Sequence, residues 1–128
     1  PPQSRLWIVL VLVPARVETR TVFAGLDRRR SDGERSRAVA ERLRNGTATV
    51  AFLRGALVND LTEAAARIAP SIERTRNLAA TLGISLAMSG SGPSLFALAD
   101  DRPHALQMSR ALRRAGLEAR PCVLGVAP

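Results

Sequence analysis

Residues 88–97 read Met-Ser-Gly-Ser-Gly-Pro-Ser-Leu-Phe-Ala. Ser89, Gly90, Ser91 and Gly92 place two glycines among hydroxyl side chains, and Ser94 adds another. A glycine has no Cβ, so such a segment takes unusual backbone angles and lets a ligand or another loop come close. Successive N–H groups in a turn of this kind can cradle an anion, and Pro93 stiffens its exit. The implied chemistry is binding of a phosphate-like group. The same residues would also make an ordinary hairpin turn. Their spacing is neither that of a phosphate-binding P-loop nor that of a dinucleotide fingerprint. The Gly-x-Ser-x-Gly elbow of a serine hydrolase is absent as well. No residue is assigned a catalytic role, and no metal-ligand set is present.

Composition narrows the remaining chemistry. The single cysteine, Cys122, excludes an internal disulfide and a cysteine-based zinc site. His104 is the one histidine. All 19 basic residues are Arg and none is Lys. Schiff-base chemistry, a Lys general base and a P-loop Lys are therefore excluded from this chain. The net charge of +8 would attract nucleic acid, acidic membranes or phosphorylated substrates. With 3% aromatic residues, a base-stacking surface is poorly supplied. Arg without Lys fits a coding bias that decorates a solvated surface, so neither nucleic acid nor a membrane is expected as a partner. No apolar run approaches the roughly 18 residues of a membrane-spanning helix, and a cytoplasmic location is expected.

At 128 residues and 46% hydrophobic content the chain suits one folded domain spanning residues 1–128. Leu6 to Val13 is a continuous apolar run ended by Pro14, which reads as a buried strand. Thr19 to Leu26 suits a short helix with Val22, Phe23 and Leu26 on one face and Thr19 as N-cap. Residues 28–33, with Arg28, Arg29 and Arg30, read as an exposed turn. Residues 34–82 form a helical block: one helix to Arg44, stopped by Asn45-Gly46, then a mostly buried helix, capped by Thr47, running to the vicinity of Asn59. Beyond Asn59-Asp60-Leu61 the pattern continues, and Pro70 opens a new helix. Ile84 to Ala87 and Ser94 to Ala99 are strand candidates around the Ser-Gly turn. Pro103 opens a further helix that ends at Gly116. Leu117 to Val126 is a last strand, with Pro121 marking an edge or bulge. The expected fold is α+β, an antiparallel sheet of about four strands with helices on one face. Trp7 and Cys122 read as packing residues, and His104 as exposed.

Met88 to Ala97 resembles the third motif of the GHMP small-molecule kinases. Three further pieces match in order: the strand and Pro14-x-x-Val17-x-Thr19, Asn59-Asp60-Leu61, and the closing helix and strand after Asp100. These pieces are most similar to the C-terminal half of the 4-diphosphocytidyl-2-C-methyl-D-erythritol kinase branch. Thr62 stands where that branch usually has Glu, and Glu18 and Arg20 where it usually has small residues. The resemblance implies a ferredoxin-like C-terminal domain on the substrate side of an ATP-dependent kinase in isoprenoid biosynthesis. It implies an N-terminal partner domain, absent from these residues, that holds the phosphate loop, the catalytic Lys and Asp, and most contacts to ATP and Mg2+. The chain, which begins Pro1-Pro2, would be a processed form or fragment, inactive alone. Ser89, Gly90, Ser91, Gly92, Thr19, Asn59 and Asp60 are the implied nucleotide- or substrate-binding residues. The alternatives are a stand-alone anion-binding or regulatory module, a nucleic-acid binder driven by the charge, and a related kinase of the homoserine or mevalonate type.

Overall fold

The computed structural model describes residues 5–26 and 33–125; Arg28, Arg29 and Arg30, expected in an exposed turn, lie outside them. The strands are β1 (Arg5–Leu12), β2 (Ala87–Met88), β3 (Leu95–Ala99) and β4 (Glu118–Gly125). The helices are α1 (Thr19–Ala24), α2 (Glu34–Arg44), α3 (Val50–Ala56), α4 (Thr62–Ile68), α5 (Ser71–Thr81) and α6 (Arg102–Arg114). All strand pairs are antiparallel, in the order β2-β3-β1-β4. This is the βαββαβ ferredoxin-like arrangement, with five helices among the described residues of the first crossover, and it meets the α+β expectation.

The apolar run of β1 explains its central place. Val9 and Val11 are fully buried and share one face with Trp7. Across the register Val9 meets Ala97 on β3 and Pro121 on β4, while Val11 meets Leu95 and Ala119. Against this face pack Val22 of α1, Ala64 and Ala65 of α4, Ile72 and Ala79 of α5, and Ala105, Met108 and Leu112 of α6, in one continuous core. Small residues at 97, 99, 105 and 119 allow the helices to approach closely. Ile8 and Leu98, on the alternate positions, are buried outside that cluster.

Helix α6 is the best anchored. Asp101 caps it, its carboxylate accepting from His104 N–H at 2.8 Å, and Pro103 stands in the first turn. Its buried Ser109 hydroxyl and the Arg113 Nε–H both donate to the Ala119 carbonyl on β4. Among the described residues strand β4 pairs with β1 alone. Pro121, which lacks an N–H, therefore lies on an edge strand as expected.

Several local expectations change. Thr47 does not cap α3; Thr49 does, accepting from Phe52 N–H at 3.1 Å. The stretch from Val50 to Val58 was expected as a mostly buried helix. It stops at Ala56, no residue of α3 is buried, and Val58 is exposed. Residues 84–86 do not form a strand. Ile84 and Leu86 enter the core from irregular backbone, and the Arg76 Nε–H takes up the Leu86 carbonyl. Cys122 is only half-buried, because its strand is an edge. His104 is half-buried and hydrogen-bonded rather than exposed, its Nδ1 accepting from Asp100 N–H at 3.0 Å. Trp7 packs against the core as expected.

Leu112 sits where α6 meets the sheet and Leu124 is half exposed near the end of β4. Leu112→Ala is expected to cost about 2–5 kcal/mol in chemical denaturation, as for other buried leucines. Leu124→Ala is expected to stay within about 0.5 kcal/mol.

Candidate functional site

The Ser-Gly segment joins β2 to β3. Strand β2 has only two residues, so few ladder bonds shape the loop: Ala87 pairs with Phe96 and Met88 with Leu95. Two backbone bonds close it, from Ser89 N–H to the Ser94 carbonyl at 2.9 Å and from Gly92 N–H to the Ser89 carbonyl at 3.0 Å. Gly90 and Gly92 take positive φ values of 57° and 86°, which glycine adopts without penalty. At Gly92 a Cβ would also stand 2.9 Å from the Met88 sulfur, whereas at Gly90 it would meet nothing within 4 Å. The Gly92 N–H is thus committed within the loop. Among the described residues the Gly90 and Ser91 N–H groups have no hydrogen-bond partner and remain the available donors.

Two distant side chains complete the loop. Asn59, at the junction of α3 and α4, donates through Nδ2 to the Met88 carbonyl at 3.0 Å and to the Gly90 carbonyl at 2.6 Å. Its Oδ1 accepts from Leu61 N–H at 2.9 Å. Thr62 closes the same junction, its hydroxyl donating to the Asn59 carbonyl at 2.9 Å. On the other side, Thr19 Oγ1 lies 3.0 Å from Ser91 Oγ. Thr19 is therefore not an N-cap. Glu18 occupies that position without a side-chain bond, and Thr19, the first residue of α1, turns its hydroxyl to the loop.

Thr19, Asn59 and residues 89–92 are thus joined by hydrogen bonds. Asp60, next to Asn59, is exposed on the junction and lines two grooves of about 750 Å³ and 850 Å³. Phe23, expected on an apolar helix face, is 53% exposed on the wall of the larger groove. Among the described residues no group of three acidic, His or Cys side chains could hold a metal ion. No described helix is long and apolar enough to cross a membrane.

The model of the GHMP kinase C-terminal region matches residues 48–118, from the cap of α3 to the first residue of β4. This chain belongs to that family. A crystal structure of 4-(cytidine 5'-diphospho)-2C-methyl-D-erythritol kinase superposes with a TM-score of 0.71 and 28% identity, over 97% of this chain and 44% of the other. Homoserine kinase from Cytophaga hutchinsonii superposes with a TM-score of 0.60 and 19% identity, over 92% of this chain and 41% of the other. The chain thus spans less than half the length of either kinase. No match was found among curated protein sequences.

Within the GHMP domain the sequence alone did not reveal Arg54. Its guanidinium donates to the Leu98 carbonyl at 2.9 Å and to Asp100 Oδ1 at 3.1 Å. Nothing in the local pattern separates it from the other arginines, because both partners lie more than 40 positions away.

Asn59→Ala removes three hydrogen bonds and leaves two loop carbonyls without their donor. It is expected to cost about 1–3 kcal/mol and to speed exchange of the Ser89 and Gly92 amides, read by NMR. Gly92→Ala is expected to destabilise more than Gly90→Ala by about 1 kcal/mol or more in denaturant melts, since only the former meets a buried side chain.

Proposed function

We propose that this chain is the acceptor-side domain of an ATP-dependent small-molecule kinase, and that the acceptor is the hydroxyl of 4-(cytidine 5'-diphospho)-2C-methyl-D-erythritol. The observation that carries the reading is the loop of residues 89–92. It is held open from both sides by Thr19 and Asn59, and its Gly90 and Ser91 N–H groups are unengaged. Phosphoryl transfer rests mainly on positioning and charge stabilisation. Unengaged N–H groups on a rigid turn suit the oxygens of a phosphate or diphosphate. The Ser91 and Thr19 hydroxyls, 3.0 Å apart, offer a further donor beside them.

ATP supplies the transferable phosphoryl group when bound. Gly90, Ser91 and Gly92 would bring unobstructed backbone to the phosphates, while Asn59 and Thr19 keep that backbone in place. By resemblance to the family, the residues that neutralise the transferring group, a Lys among them, are expected on an N-terminal domain together with the Mg2+ contacts; this chain has Arg but no Lys. The Asn59-Asp60-Leu61 and Val17-x-Thr19 segments favour the diphosphocytidyl acceptor over homoserine, as does the higher identity, 28% against 19%.

The test is a phosphoryl-transfer assay of the complete protein with Mg2+-ATP and either acceptor. The expected result is a kcat/KM for the diphosphocytidyl substrate at least about 100-fold above that for homoserine. Preference for homoserine would reassign the acceptor. Turnover of neither, with phosphate still bound, would leave an anion-binding module.

A further inference from the structure

Helices α2 and α3 bury no residue in the core. Past α3, Leu57 leaves the helix in extended backbone, and Val58 is 51% exposed. No fully buried side chain therefore anchors the chain as it approaches Asn59 from its N-terminal side, where Leu53, Ala56 and Leu57 are half-buried. A polar contact supplies a further anchor. Arg54 grips the end of β3 through the Leu98 carbonyl and Asp100. Five positions later Asn59 grips the other side of the same hairpin, at Met88 and Gly90. Residues 54–59 thus lace one end of the β2–β3 pair to the other, where the strands themselves share only two paired positions.

The upstream anchor is itself firmly placed. Asp100 donates its N–H to His104 Nδ1, and its second carboxylate oxygen lies 3.3 Å from that nitrogen. His104 belongs to the first turn of α6, which is seated in the core through Ala105, Met108 and Leu112. An exposed Arg–carboxylate pair is worth little by itself. Here the guanidinium also takes up a strand carbonyl, on a strand residue that is itself buried, and its planar fork suits two acceptors at once.

We propose that Arg54 is a positioning residue for the Ser-Gly loop, acting through the end of α3 and Asn59. The functional part of this inference rests on the kinase reading above; the mechanical part does not. The hydrogen bonds of Arg54 go to Leu98 and Asp100 and not to residues 89–92, so their loss is transmitted along residues 55–59.

The experiment compares Arg54→Met and Arg54→Lys with the parent in the complete protein, by amide exchange and by steady-state kinetics with Mg2+-ATP and 4-(cytidine 5'-diphospho)-2C-methyl-D-erythritol. In Arg54→Met, exchange of the Ser89 and Gly92 amides and of α3 is expected to rise about tenfold, with β1, β4 and α6 unchanged. The kcat is expected to fall about tenfold, with the acceptor KM within about twofold, as for a misplaced group that acts in the transition state. Arg54→Lys, which keeps a charged donor, is expected to recover part of both. Exchange rising equally throughout, or in α3 but not at Ser89 and Gly92, would overturn the proposal; so would an unchanged kcat in an active parent. If the parent turns over neither this acceptor nor homoserine, the kinase reading fails separately, and the loop amides alone decide the role of Arg54.

Discussion

Both amide hydrogens and the carbonyl oxygen of the Asn59 side chain are spent on main-chain groups, two across the fold and one within its own junction. The hairpin it serves has two paired positions and a loop with two left-handed glycines. So short a ladder cannot enforce one loop shape, since an isolated two-stranded pair is marginal even when longer. Hydrogen bonds from elsewhere must do it. Asn suits the task because one planar group donates twice and accepts once. With the loop shaped in this way, the Gly90 and Ser91 N–H groups stay unspent among the described residues, and the proposed binding rests on them.

The arginines take on a second meaning beside surface charge. Among the described residues four of them donate to main-chain carbonyls: Arg54 to Leu98, Arg67 to Gly25, Arg76 to Leu86 and Arg113 to Ala119. Three of these also pair with a carboxylate, Asp100, Glu63 or Glu73. A guanidinium can serve a carbonyl and a carboxylate in one plane, which an ammonium does less well. Part of the Arg excess therefore ties helices to strand and loop carbonyls, a use that charge arithmetic does not disclose.

The Ser-Gly turn follows from local residue types, and so do the helix boundaries expected at Arg44, Gly116 and Pro70, which lie within a residue or two of the observed ends. The edge position of Pro121 followed from its missing N–H. Errors fell where local rules compete. Thr47 and Thr49 are both plausible caps by type, and only the observed turn selects Thr49. Val50 to Val58 is apolar enough to suggest burial, yet α3 lies outside the core, and periodicity says which residues share a face but not what covers it. Thr19 was read as a cap because that is its commonest local use, while its partner lies 72 positions away.

The sequence by itself determined the order of elements, the buried first strand, the two glycines of the loop and the absence of any Lys for phosphate chemistry. These depend on side-chain type and on spacing within a turn or a strand, which any short window of chain contains. Only the tertiary structure decided that Asn59 and Thr19 hold the loop, that the Gly92 N–H is committed while those of Gly90 and Ser91 are not, and that Arg54 stands behind the junction. A hydrogen bond forms over about 3 Å, and which groups come within that distance depends on how the helices of the first crossover pack back onto β1 and β3.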